Sequence, residues 1–202
     1  MAIPGIIQQL GDKFFKNKRL KELESFASKG GFAFRNRMAV HQFPQDIKSM
    51  GWWNSSTGKE VRGYLFKELI AEQLYVHIID VPGKGNRNTT VFIYECRRFD
   101  FPSFKVEPRS SLSRMGHVFS SGDWSKVHSG FDKRFIVSSE NINRMRIILI
   151  EQFGDTMMEL EDFSVEGRGI YLALYRHRRR TEIDAFLSVF NKGLKLVDIV
   201  LY

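Results

Sequence analysis

Three residues that could do chemistry together lie in one glycine- and serine-rich stretch, residues 116–130. His117, Asp123 and His128 supply two imidazoles and a carboxylate, which are groups that bind metal ions or transfer protons. If the stretch folded back on itself, the three side chains could form an enzyme site. Loop residues of this kind more often face solvent, and no histidine of the chain belongs to an H-x-H, H-E-x-x-H or Cys–His motif. An enzyme with a His/Asp loop site is therefore an alternative prediction.

The rest of the sequence lacks the signatures of common enzyme classes. It has no G-x-S-x-G elbow, no dinucleotide-binding fingerprint and no set of kinase motifs. Glu159 and Glu161 would share one face of a predicted strand, as in a hydrolase pair, but an exposed hairpin face explains them as well. We therefore predict no metal and no cofactor, and we favour a protein that is not an enzyme.

The densest charge feature is the run RHRRR, from Arg176 to Arg180. The guanidinium fork donates paired hydrogen bonds to phosphate, so this run could bind a nucleic acid or a lipid headgroup. A solvated connection between a strand and a helix is the simpler interpretation. If the run joined a second basic pair in one patch, nucleic-acid binding would be an alternative function. The phosphate-binding candidates are Arg97, Arg98, Arg176, Arg178, Arg179 and Arg180.

Composition favours a polyanionic partner and a reducing compartment. The formal net charge is +8 and the isoelectric point is near 9.6, as in many proteins that bind nucleic acid or an anionic lipid surface. Cys96 is the single cysteine, so no intrachain disulfide can form. The sequence shows neither an apolar run of membrane-span length nor a secretory signal. We expect a cytoplasmic location, which could include association with a membrane.

Residues 1–31 are predicted to be a basic amphipathic helical segment ahead of a single domain, residues 32–202. The simpler interpretation of this segment is a helix packed on the core. The pair Trp52 and Trp53 lies further along the chain, and such a pair usually covers the edge of a core. A basic helix with phenylalanine anchors could instead lie on an anionic membrane or contact another protein, as could exposed tryptophans. The candidates for this surface are Lys13, Phe14, Phe15, Lys16, Lys18, Arg19, Trp52 and Trp53.

The domain is predicted to be α+β, with a mostly antiparallel sheet, terminal helices and a helix inserted between strands. Leu74–Val81 and Thr89–Cys96 are rich in β-branched and aromatic residues and flank a turn, so we predict that they pair antiparallel. Phe131–Glu151 is predicted to be a strand that leads into a helix. Met157–Glu166 and Ile170–Arg176 are predicted to form a hairpin before the terminal helix.

Two short matches suggest an internal duplication of a strand–helix unit. The Phe-x-Val sequence that begins at Phe104 recurs at Phe135, and an Arg-Met pair follows each copy at a similar distance. The two half-units would be residues 89–115 and 131–152. Matches this short can also arise by chance, so both interpretations stay open.

The order of these elements resembles an uncharacterised bacterial family that is known only as a domain of unknown function. The resemblance covers roughly residues 61–176. It rests on the two paired strands, on Pro102–Pro108 with the pattern P-x-F-x-V-x-P, and on Phe131–Val137 with the helix and hairpin that follow. Some members carry membrane segments ahead of the domain, so the resemblance implies this order of elements and a place near a membrane. It implies no catalytic residue.

These observations favour a non-enzymatic interaction module that faces the cytosol and could be membrane-peripheral. The expected partners are an anionic membrane surface or another protein, and nucleic acid is the less favoured choice. The sequence alone leaves the ligand open.

Overall fold

The computed structural model describes residues 18–54, 60–83, 87–109 and 130–201. Their centre is a sheet of eight strands in the order β1-β2-β3-β4-β8-β7-β5-β6, and every neighbouring pair is antiparallel. The strands are β1 (Ala33–Ala39), β2 (Glu60–Leu69), β3 (Leu74–Val81), β4 (Thr89–Cys96), β5 (Phe101–Pro108), β6 (Phe135–Ser139), β7 (Ser164–Gly169) and β8 (Tyr171–Tyr175). The predicted α+β class is confirmed.

Helices cover the two faces of the sheet unequally. They are α1 (residues 18–30), α2 (Gln45–Ser49), α3 (Gly51–Asn54), α4 (Phe131–Arg134), α5 (Ile142–Ile148), α6 (Gly154–Glu159) and α7 (Phe186–Leu201). A π-helical segment, Leu149–Phe153, joins α5 to α6, and short 3-10 turns lie at Val40–Gln42 and Ile183–Ala185. The terminal helices and the helix inserted between strands are present as predicted.

Alternating side chains of the central strands fill two separate hydrophobic cores. In β4, Phe92 and Tyr94 belong to the larger core, whereas Val91 and Ile93 belong to the smaller one. The larger core lies under α1, α5, α6 and α7. The smaller core lies under α2 and α3, which contribute residues such as Trp52. Because these two helices are short, polar side chains beside them on the same sheet face can line a cleft.

The predicted pairing of Leu74–Val81 with Thr89–Cys96 is confirmed. These segments are β3 and β4, and they pair over their full length, from Leu74 opposite Cys96 to Val81 opposite Thr89. The predicted end of the first helix is also confirmed. Gly31 adopts a left-handed φ of 67°, and the Phe32 N–H donates to the carbonyl of Ala27 at 2.9 Å, which closes the last helical turn.

The predicted strand Met157–Glu166 is wrong over its first half. The chain remains helical through Gly154, and β7 begins only at Ser164. Four residues at i, i+4 spacing form one fully buried stripe that continues across Gly154: Met145, Leu149, Phe153 and Met157. Burial of this stripe outweighs the local turn signal of Gly154. Glu159 and Glu161 therefore do not share the face of a strand.

The segment Phe131–Glu151 follows the prediction only after its first turn. Phe131–Arg134 is helical, while Phe135–Ser139 is the expected strand and α5 the expected helix. The two Phe-x-Val copies lie side by side, because Val106 of β5 is opposite Val137 of β6. The duplication itself stays a prediction, since its first half-unit runs beyond residue 109 and out of the described residues.

Candidate functional site

A cleft of about 470 Å³ opens beside α2 and α3, on the sheet face that carries the smaller core. Its strand walls come from β5, β6 and β7, and its helical wall comes from the junction of α2 with α3. Serine hydroxyls and four charged side chains line it together with a few small or apolar residues. The charged residues are Lys105, Glu140, Glu166 and Arg168.

The register of the sheet brings the polar side chains of the cleft together. Glu166 of β7 lies opposite Lys105 of β5, which lies opposite Ser138 of β6. Residues opposite each other share one face of a sheet, with Cβ atoms about 5 Å apart. The next residues, Val106 and Val165, face the larger core. The two-residue period of the strands thus separates the polar wall of the cleft from the core behind it.

Glu166 is only 4% exposed, and both oxygens of its carboxylate are engaged. The Tyr175 hydroxyl donates to Oε1 at 2.6 Å, and the ammonium of Lys105 lies 3.2 Å from the same oxygen. The Gly51 N–H donates to Oε2 at 2.8 Å. A Cβ at position 51 would stand 2.9 Å from Oε1, so glycine permits this close approach. One buried carboxylate therefore links strands β5, β7 and β8 to α3.

One ammonium and one phenol stabilise the negative charge of Glu166. Burial, followed by the Glu166 carboxylate, raises the pKa of Tyr175 well above its ordinary value, so the phenol remains a hydrogen-bond donor. Burial alone would lower the pKa of Lys105, but Glu166 and Glu107 outweigh it and raise that pKa. The Lys105 ammonium, 2.6 Å from Glu107 Oε1, therefore stays charged. The single ammonium of Lys105 thus pairs with both carboxylates of this wall.

Arg168 supplies the outer part of the polar wall. Its Nη2 donates to the Ser103 hydroxyl at 2.9 Å, and the side chain is 38% exposed. The carboxylate of Glu140 lies 3.9 Å away, is 74% exposed, and is too distant for a hydrogen bond. Ser139 donates to the Ser103 carbonyl at 3.3 Å, which positions the neighbouring hydroxyl. The rim of the cleft therefore presents N–H and O–H groups to solvent.

Arg19 is buried, contrary to the prediction that it lies on a membrane or partner surface. It is 7% exposed, its Nε donates to Asp80 Oδ2 at 2.9 Å, and its Nη2 donates to the Thr181 carbonyl at 2.9 Å. Arg19, Leu23 and Ala27 share the inner face of α1 at a spacing of four residues. The arginine therefore points into the fold, where it neutralises a buried carboxylate. It ties α1 to β3 and to the segment before α7.

The neighbouring candidates of that predicted surface have different environments. Lys18 is exposed and forms an i, i+4 ion pair with Glu22 at 3.8 Å. Trp52 is 1% exposed and lies in the smaller core, so it cannot form an exposed binding surface. Trp53 is partly buried and packs edge-on against Phe43, with ring centroids 5.3 Å apart. The tryptophan pair covers the edge of a core.

Two groups of candidates lie outside the described residues. They are Lys13, Phe14, Phe15 and Lys16 of the N-terminal segment and His117, Asp123 and His128 of the glycine- and serine-rich stretch. Their predicted roles stay predictions.

The arginine candidates do not form the single patch that nucleic-acid binding would require. Arg97 and Arg98 follow the end of β4, whereas Arg176–Arg180 follows the end of β8. These strands are antiparallel, with Glu95 opposite Tyr171. The two groups therefore lie at opposite ends of the strands, roughly 20 Å apart along them.

The arginines after β8 mainly stabilise the connection to α7. Arg176 and Arg179 each lie 3.3 Å from an oxygen of Asp162, and Arg180 lies 3.6 Å from Asp80. Arg178 occupies the left-handed position of the turn, with a φ of 55°. This arrangement agrees with the simpler interpretation of the run as a strand-to-helix connection.

The arginines after β4 belong to a second cluster, which the sequence analysis missed. Arg97 Nε donates to Glu95 Oε1 at 2.8 Å, and Glu95 Oε2 lies 3.5 Å from His77 Nε2. The Tyr64 hydroxyl and His77 Nδ1 are 2.8 Å apart. The imidazole of His77, aided by Arg97 and opposed by burial, lowers the pKa of Glu95. Nearby, Arg98 Nε donates to Gln73 at 3.2 Å.

Two kinds of feature are absent from the described residues. They contain no group of three or more His, Cys, Asp or Glu side chains placed to hold a metal ion. No helix among them is both long enough and apolar enough to cross a membrane.

The cleft had a weak signal in the sequence. Ser103, Lys105 and Glu107 alternate with Phe104 and Val106, whereas Glu166 ends a predicted strand and Arg168 falls in the predicted turn after it. The strands of these residues pair across about sixty positions of sequence, and single-sequence patterns do not predict such long-range pairing. The convergence of these groups becomes visible only in the folded sheet.

Comparison with known proteins identifies a relative in fold alone. No protein-family model matches the sequence, and no curated protein matches it either. The crystal structure of the mycobacterial trehalose monomycolate transport factor A, TtfA, is similar with a TM-score of 0.55. The identity is 12%, and the match covers 89% of this chain and 90% of that chain. The likeness therefore shows a shared architecture over most of both chains.

We predict that Arg19→Ala lowers the free energy of unfolding by about 3–5 kcal/mol, because it leaves the buried carboxylate of Asp80 without its closest cation. Urea denaturation would measure the change. Lys18→Ala removes an exposed cation one residue away and should change the free energy of unfolding by about 0.5 kcal/mol or less. A loss below about 1 kcal/mol for Arg19→Ala would contradict the role of this ion pair.

We also predict that Glu166→Ala destabilises the fold by about 3–5 kcal/mol, because Tyr175 and Gly51 lose their buried acceptor and Lys105 loses a partner. The matched control is Glu140→Ala, which removes an exposed carboxylate of the same cleft and should change stability by about 0.5 kcal/mol or less. Equal effects of the two substitutions in thermal and urea unfolding would rule out a structural role for Glu166.

Proposed function

We propose that this chain is a non-enzymatic interaction module whose binding site is the cleft beside α2 and α3. The observation that carries the proposal is the engagement of both Glu166 oxygens by Tyr175, Lys105 and Gly51. A binding site gains affinity when its polar groups are held in place before the ligand arrives. The contacts of Glu166 position the inner polar groups of the cleft before a ligand binds, and the donors at its rim remain accessible.

The same geometry argues against acid–base catalysis by the inner groups. A general base needs a lone pair within hydrogen-bond reach of the substrate proton. The oxygens of Glu166 already accept from fixed donors, and Lys105 is held charged between two carboxylates. Glu166 and Lys105 stabilise the strand wall of the cleft. Substituting them should therefore lower the stability of the fold.

The fold of TtfA supports a role without catalysis. That protein is named as a factor in the transport of trehalose monomycolate. A module that holds a ligand reversibly suits a transport-associated role, and this chain has a cleft of the size of small-molecule sites. We extend only this general role to the present chain.

A screen of polar metabolites by ligand-observed NMR would test the binding site. Cys96 is buried and is the only cysteine, so Ser138→Cys places one reactive thiol in the cleft. We expect some compounds to bind the wild type but not Ser138→Cys carrying a bulky maleimide, because the label fills the cleft. Bound compounds should also remain chemically unchanged over time.

The matched control for this screen is Ser28→Cys with the same label, on the exposed face of α1. Labelled Ser28→Cys should bind the same compounds as the wild type. Compounds that bind both labelled variants equally would place the site elsewhere, and conversion of a bound compound would show that the protein is an enzyme.

We further propose that the module works at the cytosolic side of a membrane. The resemblance to a family with membrane-bearing members supports this location, as does the net charge of +8. The apolar face of α1 packs into the larger core, so contact with lipid would have to come from the preceding Lys13, Phe14, Phe15 and Lys16.

Liposome flotation would test this location. We expect the chain to float with vesicles that contain anionic lipid, and the double variant Phe14→Ser/Phe15→Ser to lose most of that binding, because each phenylalanine buries apolar surface in the interface. Ile70→Ser removes an exposed apolar residue elsewhere and should float like the wild type. If the wild type floats with neither neutral nor anionic vesicles, a membrane-peripheral role is refuted.

A further inference from the structure

The cleft has unused donors on its strand wall. Lys105 has three N–H donors, and the two carboxylates near its ammonium account for two of them. Arg168 has five, and among the described residues one forms a hydrogen bond, to Ser103. The Ser138 hydroxyl makes no hydrogen bond within the described part of the chain. A ligand therefore meets a wall that can donate several hydrogen bonds.

The inner acceptors of the cleft are used, whereas the Glu140 carboxylate at its rim faces solvent. Both oxygens of Glu166 accept from protein donors, and Glu107 Oε1 lies 2.6 Å from the Lys105 ammonium. Glu140 lies at the rim and is 74% exposed, so its contact with Arg168 at 3.9 Å is an exposed pair worth about 0–1 kcal/mol. A ligand that accepts hydrogen bonds can replace Glu140 at little cost.

The two cations of the cleft lie on the same face of the sheet. Lys105 lies opposite Glu166, and Arg168 follows two positions later on β7, so both side chains rise from the same sheet face. Such diagonal neighbours have Cα atoms about 7–8 Å apart, which lets long side chains converge. Ser138 of β6 lies opposite Lys105 on the side of β5 away from β7, and it lines the same cleft.

We propose that the cleft binds a ligand through an oxyanion, a carboxylate or a phosphate monoester, which Arg168 and Lys105 hold together with the hydroxyl of Ser138. This inference rests on the proposed function, because it names the ligand class of the same cleft. A guanidinium matches the paired oxygens of either oxyanion, and the ammonium adds a point charge. The cleft, with a total volume of about 470 Å³, has room for the oxyanion and the rest of a small organic molecule.

Titration of the isotope-labelled full chain by proton–nitrogen correlation NMR would test the proposal. The probes are inorganic phosphate, acetate, glycerol phosphate and neutral glycerol, each at ionic strength matched with sodium chloride. We expect saturable shifts of the Ser139, Gly167 and Arg168 amides with at least one anion. Arg168→Gln should weaken that binding about tenfold or more, the loss expected for one charge-assisted pair.

Arg134→Gln is the matched control, because it removes an exposed cation of α4 outside the cleft and should leave binding within about twofold. Unfolding curves of both variants check that they fold. Ser138→Ala should weaken binding less than Arg168→Gln does, and it provides a second variant if Arg168→Gln is unstable.

The outcomes separate this inference from the proposed function. Shifts that sodium chloride reproduces, or that Arg168→Gln leaves unchanged, overturn the oxyanion site. Chemical-shift changes at the cleft with glycerol, but with none of the anions, also overturn the oxyanion site. That result would still support the cleft as a binding site. No response of the cleft to these probes or to the metabolite screen overturns both proposals.

One further arm identifies the source of the oxyanion. Vesicles of phosphatidic acid present a phosphate monoester on a membrane, whereas glycerol phosphate presents it in solution. Binding to vesicles that glycerol phosphate displaces, and that Arg168→Gln loses, assigns a lipid headgroup. Binding of glycerol phosphate without binding to these vesicles assigns a soluble ligand, and both outcomes support the oxyanion site.

Discussion

The negative charge of Glu166 lies between the sheet and the short helices that cover its smaller core, where an unpaired carboxylate would cost several kcal/mol. That cost imposes positions on its neighbours. Tyr175 must remain protonated, Lys105 must remain charged, and the backbone at Gly51 must approach closely enough to donate. The placement of α3 against β7, and with it the helical wall of the cleft, depends on these contacts.

A second buried carboxylate plays the corresponding part on the other face of the sheet. Asp80 of β3 accepts from Arg19 and from the Thr90 hydroxyl, and Arg180 lies 3.6 Å away. The pair between Asp80 and Arg19 attaches α1, as the contact of Glu166 with Gly51 attaches α3. Each hydrophobic core is thus joined to one of its helices by a charged network. Such a network restricts how that helix packs more than apolar contacts alone would.

Features that depend on neighbouring residues were predictable from the sequence, and features that depend on distant partners were not. The β3–β4 hairpin and the helix end at Gly31 follow from local composition and turn chemistry. Arg19 appeared to belong to a basic surface because its partner Asp80 lies 61 positions away. The spacing of Arg19 with Leu23 and Ala27 did place it on the inner face, but the positive charge of the segment obscured that signal.

The polar groups of the cleft divide into an inner set that stabilises the fold and an outer set that faces solvent. Lys105 belongs to both, because it pairs with Glu166 and Glu107 and also lines the cleft. A charge that is already balanced in the free protein gains less from an added anion than an isolated cation does, since its partners lower the local potential. Arg168, whose nearest carboxylate is exposed and 3.9 Å away, keeps more of its attraction. The larger share of ligand affinity should therefore come from Arg168, and the larger share of stability from Lys105.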